Sequence, residues 1–149
     1  MKIALASDHA GFHLKEALIA HLKELGHTTA DLGTDSADRP VDYPDFAAKA
    51  AAAVLSGAAE RAIVTCGSGV GACVAANKIK GIRAGLCHDT YSAHQGVEHD
   101  DINILCLGAR IVGSALAFEI AAAFAGARFS GETRHKLRLE KIQKLEKGE

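Results

Sequence analysis

The sequence predicts an α/β protein, a Rossmann-like three-layer α/β/α sandwich on a five-stranded parallel sheet. Five short apolar runs alternate with longer amphipathic stretches along the chain. The runs are apolar at successive positions, as in strands covered on both faces, and such strands lie parallel and need helical crossovers. In one place an apolar run, Ala62-Ile63-Val64, ends in a glycine-rich turn that restarts as a helix-like stretch ending Ala75-Ala76-Asn77-Lys78.

The first strand is expected over residues 3–6, and a helix over 11–25 with Phe12, Leu14, Leu18, Ile19, Leu22 and Leu25 on its apolar positions. The second pair is a strand at 28–32 and, after a polar loop, a helix from about 44 to 55. The third is a strand at 62–65 and a helix at 69–78. Two more follow, 83–87 with 90–97 and 103–107 with 113–124. Alanine-rich runs at 46–54 and 115–127 favour helix. The basic tail at 132–147 has only Leu137, Leu139, Ile142 and Leu145 as apolar anchors, a stripe too narrow to hold a helix alone. It is expected to dock on a neighbouring subunit or on its own sheet. Residues 1–149 read as a single domain, with no linker, internal repeat or low-complexity segment beyond the alanine runs.

The net charge of −1 gives no overall electrostatic reason for a nucleic acid or a membrane as partner. A small ligand held by a local basic cluster is expected instead. The N-terminus turns polar by Ser7-Asp8-His9, too soon for a signal-peptide core, and no apolar run approaches a membrane span. A cytoplasmic location is expected. Four cysteines, Cys66, Cys73, Cys87 and Cys106, show neither CxxC spacing nor pairing with histidines, so free thiols and no zinc site are expected.

In open parallel sheets ligands bind beyond the carboxyl ends of the strands. That rule gathers Ser7, Asp8 and His9 after the first strand, and Thr65-Cys66-Gly67-Ser68-Gly69-Val70-Gly71 after the third. His88 and Asp89 follow the fourth, and Gly108, Ala109 and Arg110 the fifth. Backbone N–H groups left unpaired at a glycine-rich turn can point at one anion, and a thiol beside them can be held as thiolate. Gly67, Gly69 and Gly71 are expected to permit close backbone approach and positive φ. Asp8 can equally be a helix N-cap, and Cys66 a small core residue. Cys73 and Cys106 are assigned to packing. Residues 67–72 also fit G-x-G-x-x-A, a weak dinucleotide fingerprint, so a nucleotide-binding regulatory module stays open. His94, His99, Asp100 and Asp101 form a polar cluster expected between the fourth helix and the fifth strand. His94 and His99 lack helical metal spacing, and no metal is expected. Arg134 and Arg138 share one face of the tail helix, with His135 between them, and can grip one anion together.

Taken in order, Ser7-Asp8-His9-Ala10-Gly11-Phe12, Asp42-Tyr43-Pro44, Cys66-Gly67-Ser68-Gly69-Val70-Gly71, Ala75-Ala76-Asn77-Lys78, Gly81-Ile82-Arg83-Ala84, His99 and Gly108-Ala109-Arg110 resemble the ribose-5-phosphate isomerase B family, which includes the galactose-6-phosphate isomerase subunits. The resemblance covers nearly the whole chain. It implies a cofactor-free and metal-free aldose–ketose isomerase acting through a cis-enediol, in a homodimer or dimer of dimers with active sites at the subunit interface. It implies Cys66 as the base, His99 as the group that opens the sugar ring, and the 67–71 amides as a hole for the enediolate. Ser68 stands where the family has Thr or Ser. Asp8, His9 and Tyr43 would contact the sugar, and Arg110, Arg134 and Arg138, helped by His9, the phosphate. Asp100 stands where many members have Asn and cannot donate hydrogen bonds when ionised. The sugar therefore stays open between ribose 5-phosphate and a tetrulose, allose or galactose phosphate.

Overall fold

The computed structural model describes residues 1–148. Its elements run β1 (Lys2–Ser7), α1 (Phe12–Glu24), β2 (Thr28–Asp31), α2 (Tyr43–Leu55), β3 (Arg61–Cys66), α3 (Val70–Ala76), β4 (Ala84–Leu86), α4 (Thr90–Asp100), β5 (Ile104–Gly108), α5 (Ser114–Gly126) and α6 (Thr133–Lys147). The five strands form one parallel sheet in the order β2-β1-β3-β5-β4. This is the predicted architecture.

Successive residues of each strand serve opposite faces, which explains the unbroken apolar runs. Ile3, Leu5, Ile63, Leu105 and Leu107 pack under α1, α4 and α5 with Leu18, Val97 and Phe124. Ala4, Ala6, Ala62, Val64, Ile104 and Cys106 pack under α2 and α3 with Phe46, Ala50 and Ala72. Most of the second set are small, so these two helices can approach the sheet closely.

The chain leaves β1 toward β2 in one direction and returns to β3 on the other side, which makes the β1–β3 crevice the switch point where ligands bind. Register aligns the rim: Ser7 lies opposite Thr65, and Cys66 opposite Gly108. Ser7 N–H donates to Gly33 O at 2.8 Å and Thr34 N–H to Ser7 O at 2.9 Å, extending the β1–β2 contact past the strand ends. Among the described residues no helix is long and apolar enough to cross a membrane.

One predicted boundary is corrected. The fourth helix continues to Asp100 rather than ending at 97, so His99 and Asp100 belong to its last turn and not to a connection. It stops because Asp101 takes a left-handed conformation (φ 48°, ψ 45°), from which Ile102 N–H reaches back to Gly96 O at 3.2 Å. Asp tolerates this conformation better than most residues, and Arg83 holds it, with Nε on Asp101 O and Nη2 on Asp101 Oδ2, both at 2.8 Å. The tail helix, expected on a neighbouring subunit or on its own sheet, touches its own chain at α4 and at Gly81. His135, the buried residue of α6, packs against the end of α4, and Glu146 accepts Gly81 N–H at 2.7 Å.

Three cysteines are set by packing to different extents. Cys106 is fully buried, and hydrogen bonding to Cys73 and burial push its thiol well up. Burial, with Asp89 nearby, pushes Cys87 up to about 11. Cys73 is partly exposed and is drawn down to about 7, first by the hydrogen bond with Cys106 and then by Leu86 and Asn77 against the opposing effect of burial. In the folded protein at pH 8, iodoacetamide should label Cys73 well before Cys87 and Cys106, as read by peptide mass spectrometry. Equal labelling of the three would contradict these environments.

Gly69 has φ 78°, and a Cβ there would lie 2.6 Å from Leu86 Cδ1 and 2.8 Å from the Leu107 carbonyl carbon. Left-handed backbone costs a non-glycine residue about 1–2 kcal/mol, and overpacking about 1–3 more. Gly69→Ala should therefore lower the urea midpoint by the equivalent of at least ~2 kcal/mol; an unchanged midpoint would show that the turn relaxes.

Candidate active site

The carboxyl ends of β1, β3 and β5 enclose a cleft of about 380 Å³ lined by Asp8, His9, Ala10, Tyr43, Cys66, Gly67, Ser68, Gly71, Arg110 and Ile111. Several segments distant in sequence meet here because of close backbone contacts. A Cβ on Gly11 would lie 2.6 Å from Thr65 Oγ1 and closer still to the Thr65 carbonyl, while Thr65 Oγ1 donates to Gly11 O at 2.9 Å. The β1–α1 turn is thereby held against the end of β3. From the other side Ala109 N–H donates to Cys66 O and Arg110 N–H to Gly67 O, at 2.9 and 3.0 Å.

Asp8 serves the cleft and the turn before α1 together. Its Oδ1 accepts Gly11 N–H at 2.9 Å, bracing the turn before α1, while the residue lines the cleft. It is not the N-cap itself, because α1 begins at Phe12 after Gly11. His9 Nδ1 lies 3.2 Å from Val41 N and 3.3 Å from Val41 O, so it ties the loop before α2 to the rim. With Nδ1 accepting the Val41 N–H, the ring proton sits on Nε2.

Cys66 is only 3% exposed, yet it lines the cleft rather than lying sealed in the core. Its Sγ accepts Gly69 N–H at 3.1 Å. Negative charge on the sulfur is thus met by an oriented main-chain dipole at the start of α3. Val70 N–H donates to Ser68 Oγ at 3.3 Å, which leaves the Ser68 hydroxyl proton available to a ligand. The amides of Gly67, Ser68 and Gly71 have no acceptor among the described residues.

The three glycines differ from expectation. Gly69 alone of them has positive φ. At Gly67 a Cβ would stand 3.3 Å from Arg110 Nη1, a contact that a small shift of that side chain relieves. Gly71 lacks a side chain because the Tyr43 ring covers it, with Cζ 2.6 Å from where a Cβ would be.

His99, Asp100, Arg134 and Arg138 do not line this cleft. His99 stacks on His135 with ring centroids 4.2 Å apart, and its Nδ1 lies 2.8 Å from Gln95 Nε2. Arg134 Nε donates to Glu132 Oε2 at 2.8 Å, and both arginines are exposed on α6. The chain thus carries the two predicted groups of residues in separate places. Val70, Val74, Tyr91 and Ile111, at least half exposed, sit on the elements around the rim as uncovered apolar surface. Ala10 and Ile111 line the cleft without having been singled out from sequence, since apolar rim residues carry no chemical signature. Gln95 was also missed. Its i, i+4 relation to His99 becomes visible only once α4 is known to run through both. A second cavity of about 220 Å³, between α6 and the turn at Lys80 and Gly81, is lined by neither thiol nor imidazole.

The family model described as Ribose/Galactose Isomerase matches residues 3–142. The ribose-5-phosphate isomerase B of Escherichia coli is 46% identical over 145 residues, 97% of this chain and 96% of that protein. The D-erythrulose-4-phosphate isomerase of Pectobacterium atrosepticum is 40% identical over 131 residues, 88% of this chain and 86% of that one. The solved ribose-5-phosphate isomerase B of Clostridium thermocellum superposes with a TM-score of 0.95 at 47% identity, covering 99% of each chain. Sequence and fold agree, and the chain belongs to the ribose/galactose isomerase family, whose members interconvert aldoses and ketoses.

Proposed function

We propose that this phosphosugar isomerase interconverts ribose 5-phosphate and ribulose 5-phosphate through a cis-enediolate, with Cys66 as the base. The observation that carries this reading is the Cys66 sulfur, hydrogen-bonded by Gly69 N–H at the foot of a cleft whose mouth holds Asp8, His9 and Arg110. The proton on the carbon next to a carbonyl is weakly acidic, so its removal needs a base of matched pKa and donors for the oxygen that becomes negative. Cys66 thiolate takes the C2 proton of the open aldose and returns it to C1. The charge that develops on oxygen is met by the Ser68 hydroxyl and the Gly67, Ser68 and Gly71 amides. Asp8 and Tyr43 hold sugar hydroxyls, and Arg110 with His9 meets the phosphate.

The remaining groups come from a second copy of the chain. His99, which opens the ring, and Arg134 and Arg138, which close on the phosphate, lie away from their own cleft. A two-fold dimer lets each protomer complete the other's site, and the exposed apolar rim supplies its contact surface. The family membership and the 46% identity to a ribose-5-phosphate isomerase B support ribose as the sugar. Asp100 and the likeness to an erythrulose-phosphate isomerase support a second reading with a shorter sugar.

Cys66→Ala should lower kcat by roughly 10²–10⁴-fold, the usual range for loss of a general base, and abolish exchange of the C2 proton in deuterated water while phosphosugar affinity changes little. Retained exchange would remove Cys66 from the role. Mixing the inactive variants Cys66→Ala and His99→Asn should restore roughly a quarter of wild-type activity, because half of randomly paired dimers then carry one intact site. No restoration would place both residues in one protomer's site. Across four-, five- and six-carbon aldose phosphates, kcat/KM should favour ribose 5-phosphate by about tenfold or more. Preference for the four-carbon sugar would select the second reading.

A further inference from the structure

His135 is 1% exposed and is the buried residue of α6, yet it is an ionisable residue in a position where an apolar ring would pack as well. Its Nδ1 lies 2.6 Å from Ser130 Oγ, and its buried Nε2 has no hydrogen-bond partner. Ser130 N–H in turn donates to Glu98 O at 2.9 Å, so the segment before α6 is tied to the last turn of α4 beside His99. The two imidazole planes lie 28° apart with centroids at 4.2 Å. Burial first, then nearby His99 and the cationic Arg134, hold the His135 pKa below its ordinary value.

On its other edge His99 is held by Gln95, whose Nε2 lies 2.8 Å from His99 Nδ1. If that amide donates, Nδ1 is an acceptor and the His99 proton sits on Nε2. The nearest acid to Nε2 is Glu98, at 3.8 Å, too far for a hydrogen bond. The His99 ring is thus fixed by one contact on its face and one on its edge, and Nε2 is the nitrogen left to exchange a proton.

We propose that His135 is a positioning residue for His99: its stacked ring sets the plane in which His99 presents Nε2 to the ring oxygen of the sugar. This rests on the reading that His99 opens the ring. Because His135 stands between Arg134 and Arg138 on α6, the same docking carries the phosphate-gripping arginines and the oriented imidazole as one body.

Chemistry supplies a readout that a merely structural residue would not move. Ribose 5-phosphate is a furanose closed through O4 and must be opened. 4-Deoxyribose 5-phosphate lacks O4 and has its O5 esterified, so it cannot close a furanose and enters as the open chain. His135→Ala should lower kcat/KM for ribose 5-phosphate by roughly 10–100-fold, the size of effect expected from a misplaced reacting group, and leave kcat/KM for this open-chain analogue within about threefold of the wild-type value. His135→Phe, which keeps a stacking ring, should recover most of the aldose rate. If His135→Ala does not fold, Ser130→Ala, which removes only the hydroxyl holding the ring, should show the same asymmetry at roughly three- to tenfold. Equal loss with both substrates, or no loss with either, overturns the proposal. His99→Asn in the same assay separates the two readings. Asymmetry there without asymmetry in the His135 or Ser130 variants sinks the positioning role alone, whereas symmetric loss in His99→Asn sinks the ring-opening role and this inference with it.

Discussion

At Gly11 the first strand-to-helix turn lies so close to the end of β3 that any side chain would collide with the Thr65 carbonyl, and Thr65 Oγ1 closes the contact with a hydrogen bond to Gly11 O. The cleft depends on this approach. It sets the distance between Asp8 and His9 on one side and Cys66 on the other, across the crevice where strand order reverses. Asp8 reinforces it from within by accepting the Gly11 amide. A few tenths of an ångström at Gly11 would spread into the spacing of the groups that meet the ligand, and tightly packed interiors transmit such shifts rather than absorb them.

On the β5 side the same principle recurs with different atoms. A Cβ on Gly108 would lie 2.6 Å from the Ser68 carbonyl carbon, and His88 Nε2 accepts Gly108 N–H at 3.1 Å. The glycine-rich turn is wedged between backbone on one side and the Tyr43 ring on the other. Its conformation is therefore imposed from outside as much as by its own sequence. That rigidity lets a single amide, Gly69 N–H, be aimed at the Cys66 sulfur instead of at water. Preorganised dipoles do not have to reorient as charge develops, which is the source of their value in catalysis.

Away from the cleft, the end of α4 is a second centre of organisation. Arg83 stabilises the left-handed Asp101 that stops the helix, and the stop leaves His99 on the final turn facing His135. Lys15 has a comparable part near β2: fully buried, it donates to Asp31 Oδ1 at 2.6 Å, and that same oxygen accepts Gly33 N–H. In both places a cation fixes a loop by pairing with an acid, Arg83 also reaching the Asp101 carbonyl while Asp31, held by Lys15, itself accepts the Gly33 amide. Such charges are buried only when paired, so the loops they hold cannot shift without leaving a charge unmatched.

The order of strands and helices, the parallel sheet and the location of the rim could be read from the chain, because apolar periodicity and glycine spacing are local properties that the backbone obeys wherever they occur. The residues lining the cleft from β1, β3 and β5 were legible for the same reason, each following directly after an apolar run. What could not be read was set by contacts between distant segments. The reason for Gly71 is a tyrosine ring 28 positions earlier in the chain. The true end of α4 depends on Arg83, and the pairing of His99 with Gln95 is hidden until that end is known. Sequence alone determined which residues stand at the strand ends. Only the tertiary structure decided which of them share a cleft and which, like His99, Arg134 and Arg138, are carried elsewhere, because proximity in space follows from how whole elements pack and not from spacing along the chain.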